Sequence, residues 1–137
     1  MPPPMDRKSY RKSYTRLYQA YSKVVQDSLS DAASQVAGAP DDTGITNVMA
    51  SFDGTWQRRG YSSLNGVITC ISNGKVVDYE VLSKVCLQCK YWGKQKKGQQ
   101  FEEWKLHHNC SINHTGSAGS MEVTGVVHMF QRSVSTK

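Results

Sequence analysis

No stretch of this chain is long and apolar enough to cross a bilayer, so a membrane-spanning helix is excluded and no membrane partner is expected. The N-terminus, Met1-Pro2-Pro3-Pro4-Met5-Asp6-Arg7-Lys8, lacks the apolar core of a secretory signal. A nuclear or cytosolic protein is therefore expected, not a secreted one. In such a reducing compartment the 4 cysteines are expected as thiols or metal ligands rather than disulfides. For the same reason the sequons Asn109-Cys110-Ser111 and Asn113-His114-Thr115 carry little weight, and a small secreted disulfide scaffold is disfavoured. Apolar residues are scarce at 38%, so the 137 residues support one domain with a modest core. Acidic residues are outnumbered 11 to 17 by Lys and Arg, and a net charge of +6 favours an anionic partner, nucleic acid first. No segment repeats.

Within that frame one acid stands out. Asp53 lies in Val48-Met49-Ala50-Ser51-Phe52-Asp53-Gly54-Thr55-Trp56, a run that otherwise reads as a buried strand. Aspartate is depleted in strands because a short charged side chain packs poorly on a pleated surface. A carboxylate there calls for a partner, such as a metal ion. The alternative is an acid at a strand end, capping a turn at Gly54.

Hydrophobic periodicity organises the rest. Residues 6–37 read as one amphipathic helix with Tyr10, Tyr14, Leu17, Tyr18, Tyr21, Val24, Val25, Leu29, Ala32 and Val36 on one face. Asp6 is the expected N-cap, and Gly38 with Pro40 stops the helix. Arg7, Lys8, Arg11, Lys12 and Arg16 crowd its first turns and oppose the helix macrodipole. That placement marks either an anion-binding surface or a solvated charged face. Strands are expected over 47–58, 67–71 and 76–82, the last two joined by Asn73-Gly74, the strongest short hairpin signal. The result is a three-stranded antiparallel meander with an exposed edge open to self-association. Cys70, mid-strand, reads as a small buried apolar residue. Asp78 and Glu80 alternate along the third strand and read as a solvent-facing row beside Lys75 or Lys84. A short helix is expected over 101–108. The segment 121–134 suits a helix or a strand.

Between them lies a polar, basic window holding Cys86-x-x-Cys89, then Cys110 and His114, with His107 and His108 just before. Two short-range ligand pairs joined by a loop match the construction of structural zinc sites, with His107 or His108 as alternatives to His114 for the fourth ligand. The competing reading is free thiols with incidental histidines. A structural zinc contributes roughly 10–16 kcal/mol to folding, against about 2–4 kcal/mol for a disulfide. A segment so poor in apolar residues needs the stabilisation that a metal supplies. Lys94, Lys96 and Lys97 interleave with Tyr91, Trp92 and Trp104 in this window, and Arg58 and Arg59 stand at the end of the first strand. Cations neutralise phosphates and rings stack on bases, so these residues are candidate nucleic-acid contacts.

Several collinear blocks resemble the Mutator-like transposase domain. They are Ser51-Phe52-Asp53-Gly54-Thr55-Trp56-Gln57-Arg58-Arg59-Gly60-Tyr61-Ser62-Ser63-Leu64-Asn65-Gly66, then residues 75–84, Cys86-Leu87-Gln88-Cys89, residues 110–117, residues 121–125 and Phe130-Gln131-Arg132-Ser133. The resemblance implies an α+β, ribonuclease-H-like core with a DDE-type centre. It assigns residues 1–44 to a helical lead-in and 45–137 to an incomplete catalytic domain with a Cys/His insertion at 84–116. Asp53 is then the first catalytic acid, Glu122 a possible auxiliary, and the intact enzyme holds paired Mg²⁺ at three carboxylates. The family's later Gly-Asp-Gly-Asp block has no counterpart before Lys137, so a fragment of a DNA transposase, inactive alone, is expected. A transposon-derived DNA- or protein-binding module is the alternative. The resemblance favours a helix for the last segment.

Overall fold

The structure is a computed structural model that describes residues 6–59, 62–95 and 98–135. It is an α+β arrangement with the order α1 (Arg7–Val36), β1 (Ser51–Trp56), β2 (Asn65–Ser72), β3 (Lys75–Ser83), α2 (Leu87–Trp92), α3 (Gln99–His107) and α4 (Ser120–Ser135). The three strands form one sheet in the order β1-β2-β3. The chain divides into two compact units. One carries α1 and the tip Ser72–Val77; the other holds Ala50–Ile71 and the chain from Asp78 onward.

In the first unit, Asp6 caps α1 as its sequence position predicts, accepting from the backbone N–H of Lys8 (2.8 Å) and Ser9 (3.1 Å). The expected apolar face is covered only in the C-terminal half, where Val25, Leu29, Ala32 and Val36 are half-buried. Tyr10, Tyr14, Leu17, Tyr18, Tyr21 and Val24 remain 59% to 70% exposed. The tyrosines instead stack on one another, Tyr10 on Tyr14 and Tyr14 on Tyr18, each pair with ring centroids 6.4 Å apart. The hairpin tip is the turn that Asn-Gly specifies: Asn73 (φ 49°) and Gly74 (φ 74°) both adopt positive φ.

In the second unit, period-two alternation sets the two faces of the sheet. Phe52, Gly54 and Trp56 of β1 point toward α4. Phe52 meets Phe130 at 5.4 Å between ring centroids, and Trp56 donates its indole N–H to the Ala118 carbonyl at 3.0 Å. From β2, Ile68 meets the helix at Gly125, where a Cβ would lie 2.9 Å from Ile68 Cδ1. Only glycine lets the backbone of α4 come that close. Met121 and Met129, each one turn from Gly125 on the same stripe, are buried with Ile68, Leu82 and Ala118. Each large apolar side chain of this set contributes about 1.5–3 kcal/mol by burial. Cys70 is buried on this face as an apolar residue.

Asp78 and Glu80 depart from the expected solvent-facing row. They point toward α4 and engage Arg132, whose guanidinium donates Nε to Asp78 Oδ2 (2.8 Å), Nη2 to Asp78 Oδ1 (2.9 Å) and Nη1 to Glu80 Oε2. His128 Nδ1 lies 3.1 Å from Glu80 Oε1. Strand alternation places both acids on one face, and an arginine in the last turns of α4 converts that face into an ion-pair lock.

Candidate metal centre

The metal-ligating residue types converge where α2, α3 and the following loop meet. Cys86 occupies the N-cap position of α2, and Cys89 lies three residues on, in its first turn. Neither α2 nor α3 has a buried residue of its own, so apolar burial does not hold them together. An aromatic stack links them: Trp92 lies 5.5 Å from Trp104, and Trp104 lies 4.3 Å from His108, both in stacked orientation. This stack brings His108 back over α2, and the loop after it delivers Cys110. Asn113 fixes that loop to the end of β3, accepting from the Ser83 N–H (2.7 Å) and donating to the Val81 carbonyl (2.8 Å).

Cys86, Cys89, His108 and Cys110 place one ligand atom each within 4.8 Å of one another. Cys89 Sγ is 3.6 Å from Cys110 Sγ, Cys86 Sγ is 3.6 Å from His108 Nε2, and Cys89 Sγ is 3.1 Å from His108 Nε2. Zinc bond lengths of ~2.3 Å to sulfur and ~2.0 Å to nitrogen give tetrahedral edges of roughly 3.8 Å and 3.5 Å. The separations therefore fit a tetrahedral Cys₃His site, and the donor set suits zinc. The histidine that joins the three cysteines in this cluster is His108, one of the two alternatives to His114. His114 is buried elsewhere, its Nε2 3.1 Å from both the Ser117 carbonyl and Ser120 Oγ, where it shapes the turn before α4. His107 is exposed at the end of α3 and stands outside the cluster.

The electrostatics point the same way. Backbone N–H groups of Cys89 and Ser111 hold the Cys86 thiol down to about 5. Desolvation, then the neighbouring Cys110 and Cys86 sulfurs, push the Cys89 thiol up to about 11. Sulfurs this close resist shared ionisation without a cation between them, and a divalent metal removes that conflict. Gln88, a residue that sequence reasoning did not single out, completes the arrangement. Its Oε1 lies 3.0 Å from His108 Nδ1 and accepts the Trp104 indole N–H at 3.2 Å. With Nδ1–H donated to Gln88, the Nε2 lone pair of His108 faces the three sulfurs. Its position between the two cysteines was the available signal.

The other sequence candidates are dispersed. Asp53 is mid-strand, opposite Thr69, with Gly54 continuing the strand opposite Ile68, so no turn exists there for it to cap. Its side chain is exposed and alternates onto the face away from α4. Glu122 is exposed on α4, so the sheet separates it from Asp53. Lys8, Arg11, Lys12, Arg58, Arg59 and Lys94 are exposed. Lys96, Lys97 and the Arg7 side chain lie outside the described residues.

These features define a small α+β domain with a three-cysteine, one-histidine ligand cluster beside a three-stranded antiparallel sheet. The family model described as Mutator-like transposase matches residues 1–137, and the chain belongs to that family. No curated protein and no solved structure gives a match.

Proposed function

We propose that this chain is a DNA-handling portion of a Mutator-like transposase. In this reading its sheet is the first half of a ribonuclease-H-like core, Asp53 is the first catalytic acid, and the Cys₃His cluster binds a structural zinc. The observation that carries it is the place of Asp53, exposed in the middle of β1 of a chain belonging to this family. A paired-Mg²⁺ centre needs several carboxylates. The described residues do not fit one: Asp78 and Glu80 are held by Arg132 and His128 on the α4 side, and Glu122 is on that side too. The chain alone is therefore read as inactive in cleavage.

DNA binding rests on α1. Residues 7–26 contain no acid, and among the described residues no carboxylate pairs with Lys8, Arg11, Lys12 or Arg16. Unpaired cations at a helix N-terminus gain most from an external phosphate. What is complete in the chain is this basic helix and the ligand cluster, which also favours a second reading, a non-catalytic DNA- or protein-binding module working in the nucleus.

The test is binding of the purified chain to duplex DNA across a salt series. A log–log slope that shrinks by about three to four in a Lys8→Ala, Arg11→Ala, Lys12→Ala, Arg16→Ala variant supports the α1 interface. An unchanged slope sinks it. Mg²⁺-dependent nicking that vanishes in Asp53→Ala would show that the chain cleaves DNA unaided.

A further inference from the structure

A cleft of about 520 Å³ opens beside the C-terminal end of β1, apart from the metal centre. Gly54, Trp56, Ala118 and Gly119 line it, with Arg58 and Arg59. Its volume lies within the roughly 300–1,000 Å³ of small-ligand sites, far below what a duplex needs. No acid lines it, and neither arginine has an ion-pair partner among the described residues. The aromatic wall is fixed. The Trp56 indole is tied to the Ala118 carbonyl, and a Cβ on Gly54 would meet its ring at 2.8 Å, so the ring lies along a bare stretch of backbone. Arg58 is anchored through its backbone just after β1. There the buried Ser63 hydroxyl accepts the Arg58 N–H at 3.3 Å and donates to the Asn65 carbonyl at 2.7 Å.

We propose that this cleft receives one unpaired nucleotide of a DNA strand, its base against Trp56 and its phosphate between Arg58 and Arg59. Three features select that ligand. A rigid indole offers a stacking surface that any base can use. Two guanidinium groups offer forked donors matched to phosphate oxygens. The small volume admits a single base only after it has left the stack, an exchange that costs least where the base is already unpaired. The proposal rests on the DNA-binding reading above and specifies what the strand must present.

Gly119 supplies a selective probe. A Cβ there has Ser117 Oγ as its one near contact, at an ordinary 3.9 Å, so Gly119→Leu has room at its Cβ and adds apolar bulk to the cleft wall without altering charge. The experiment measures anisotropy of the whole chain with three probes: a fully paired hairpin, the same hairpin with one extrahelical 2-aminopurine, and free 2-aminopurine deoxyribonucleoside monophosphate. The expected result is at least tenfold tighter binding of the extrahelical hairpin than of the paired one, with quenching of 2-aminopurine fluorescence. Gly119→Leu and an Arg58→Gln, Arg59→Gln variant are expected to remove that gain, while Gly119→Leu leaves paired-hairpin affinity unchanged. Equal binding of the two hairpins overturns the cleft proposal and leaves DNA binding standing. No binding to either hairpin overturns the DNA reading itself. Free nucleotide binding as tightly as the extrahelical hairpin overturns the strand-bound form in favour of a mononucleotide site.

Discussion

Replacing His108 with Ala separates the clustered Cys₃His set from the one the spacing first suggests. A structural zinc site contributes ~10–16 kcal/mol through four ligands, or roughly 2.5–4 kcal/mol per ligand on average. Removing His108 should therefore weaken metal affinity about 100- to 1,000-fold, at about 1.4 kcal/mol per tenfold. His114→Ala should leave affinity intact, because its Nε2 is spent on Ser117 and Ser120. The structural consequence is local. With no buried residues in α2 or α3, loss of the metal leaves the ring contacts among Trp92, Phe101, Trp104 and His108 and the Gln88 bonds to hold them. Chelation should then melt both helices, about a quarter of the helical residues, while the β1–β3 sheet and α4 persist. Cobalt titration of the reduced protein, read by thiolate-to-metal absorption, gives the affinities; circular dichroism before and after chelation gives the helix loss. Cobalt affinity that survives His108→Ala and collapses in His114→Ala would refute the assignment. Helicity indifferent to chelation would refute the claim that the metal orders the module.

Other consequences follow from the same packing and electrostatics. Gly125→Ala places a Cβ 2.9 Å from Ile68 and should destabilise the sheet–helix unit by about 1–3 kcal/mol, read as a lower denaturant midpoint. Gly74→Val meets no steric neighbour, yet its φ of 74° is strained for a β-branched residue. A cost of roughly 1–2 kcal/mol is expected, in contrast to a neutral Gly38→Val. Burial raises the Glu80 carboxyl, but hydrogen bonds and charge from Arg132 and His128 outweigh it and hold the group below the ordinary glutamate range. A depressed folded value means its stabilisation is present above that range and is lost as pH falls through the folded value. Glu80→Gln should therefore be less stable than the parent at neutral pH and flatten the acid limb of the stability profile; parallel acid limbs would contradict the ion-pair lock.

Much of the fold is legible in the sequence because its signals are local. Asp6, Asn73-Gly74 and the alternating runs around Ile68 and Leu82 each fix their structure within a few residues, and the elements appear there. The apolar face of α1 is overestimated from Tyr10 to Val24 because periodicity shows which residues share a stripe, not what covers it. Asp78 and Glu80 mislead for the same reason in reverse. Alternation gives a shared face, whereas the partner, Arg132, lies 54 residues away from Asp78 in sequence. The helix α2 escapes sequence reasoning because six residues headed by a cysteine carry neither a side-chain cap nor an apolar stripe.

The metal ligands show where spacing stops and topology starts. Cys110-x3-His114 has the spacing of a ligand pair, and Cys86-x2-Cys89 supplies the other half, so sequence alone favours His114. Two tethers break that pairing. Asn113 clamps its stretch of chain to Val81 and Ser83, and His114 N–H donates to the Ser83 carbonyl at 3.1 Å, drawing the residue away with β3. On the other side, α3 ends at His107, and the ring of His108 continues the Trp92–Trp104 stack onto Gln88. The histidine that joins the cysteine cluster is thus positioned by a glutamine and two tryptophans outside it. It follows that Gln88→Ala should weaken metal binding by about 10- to 100-fold with all four ligands in place, since the imidazole would lose the acceptor that points Nε2 at the sulfurs.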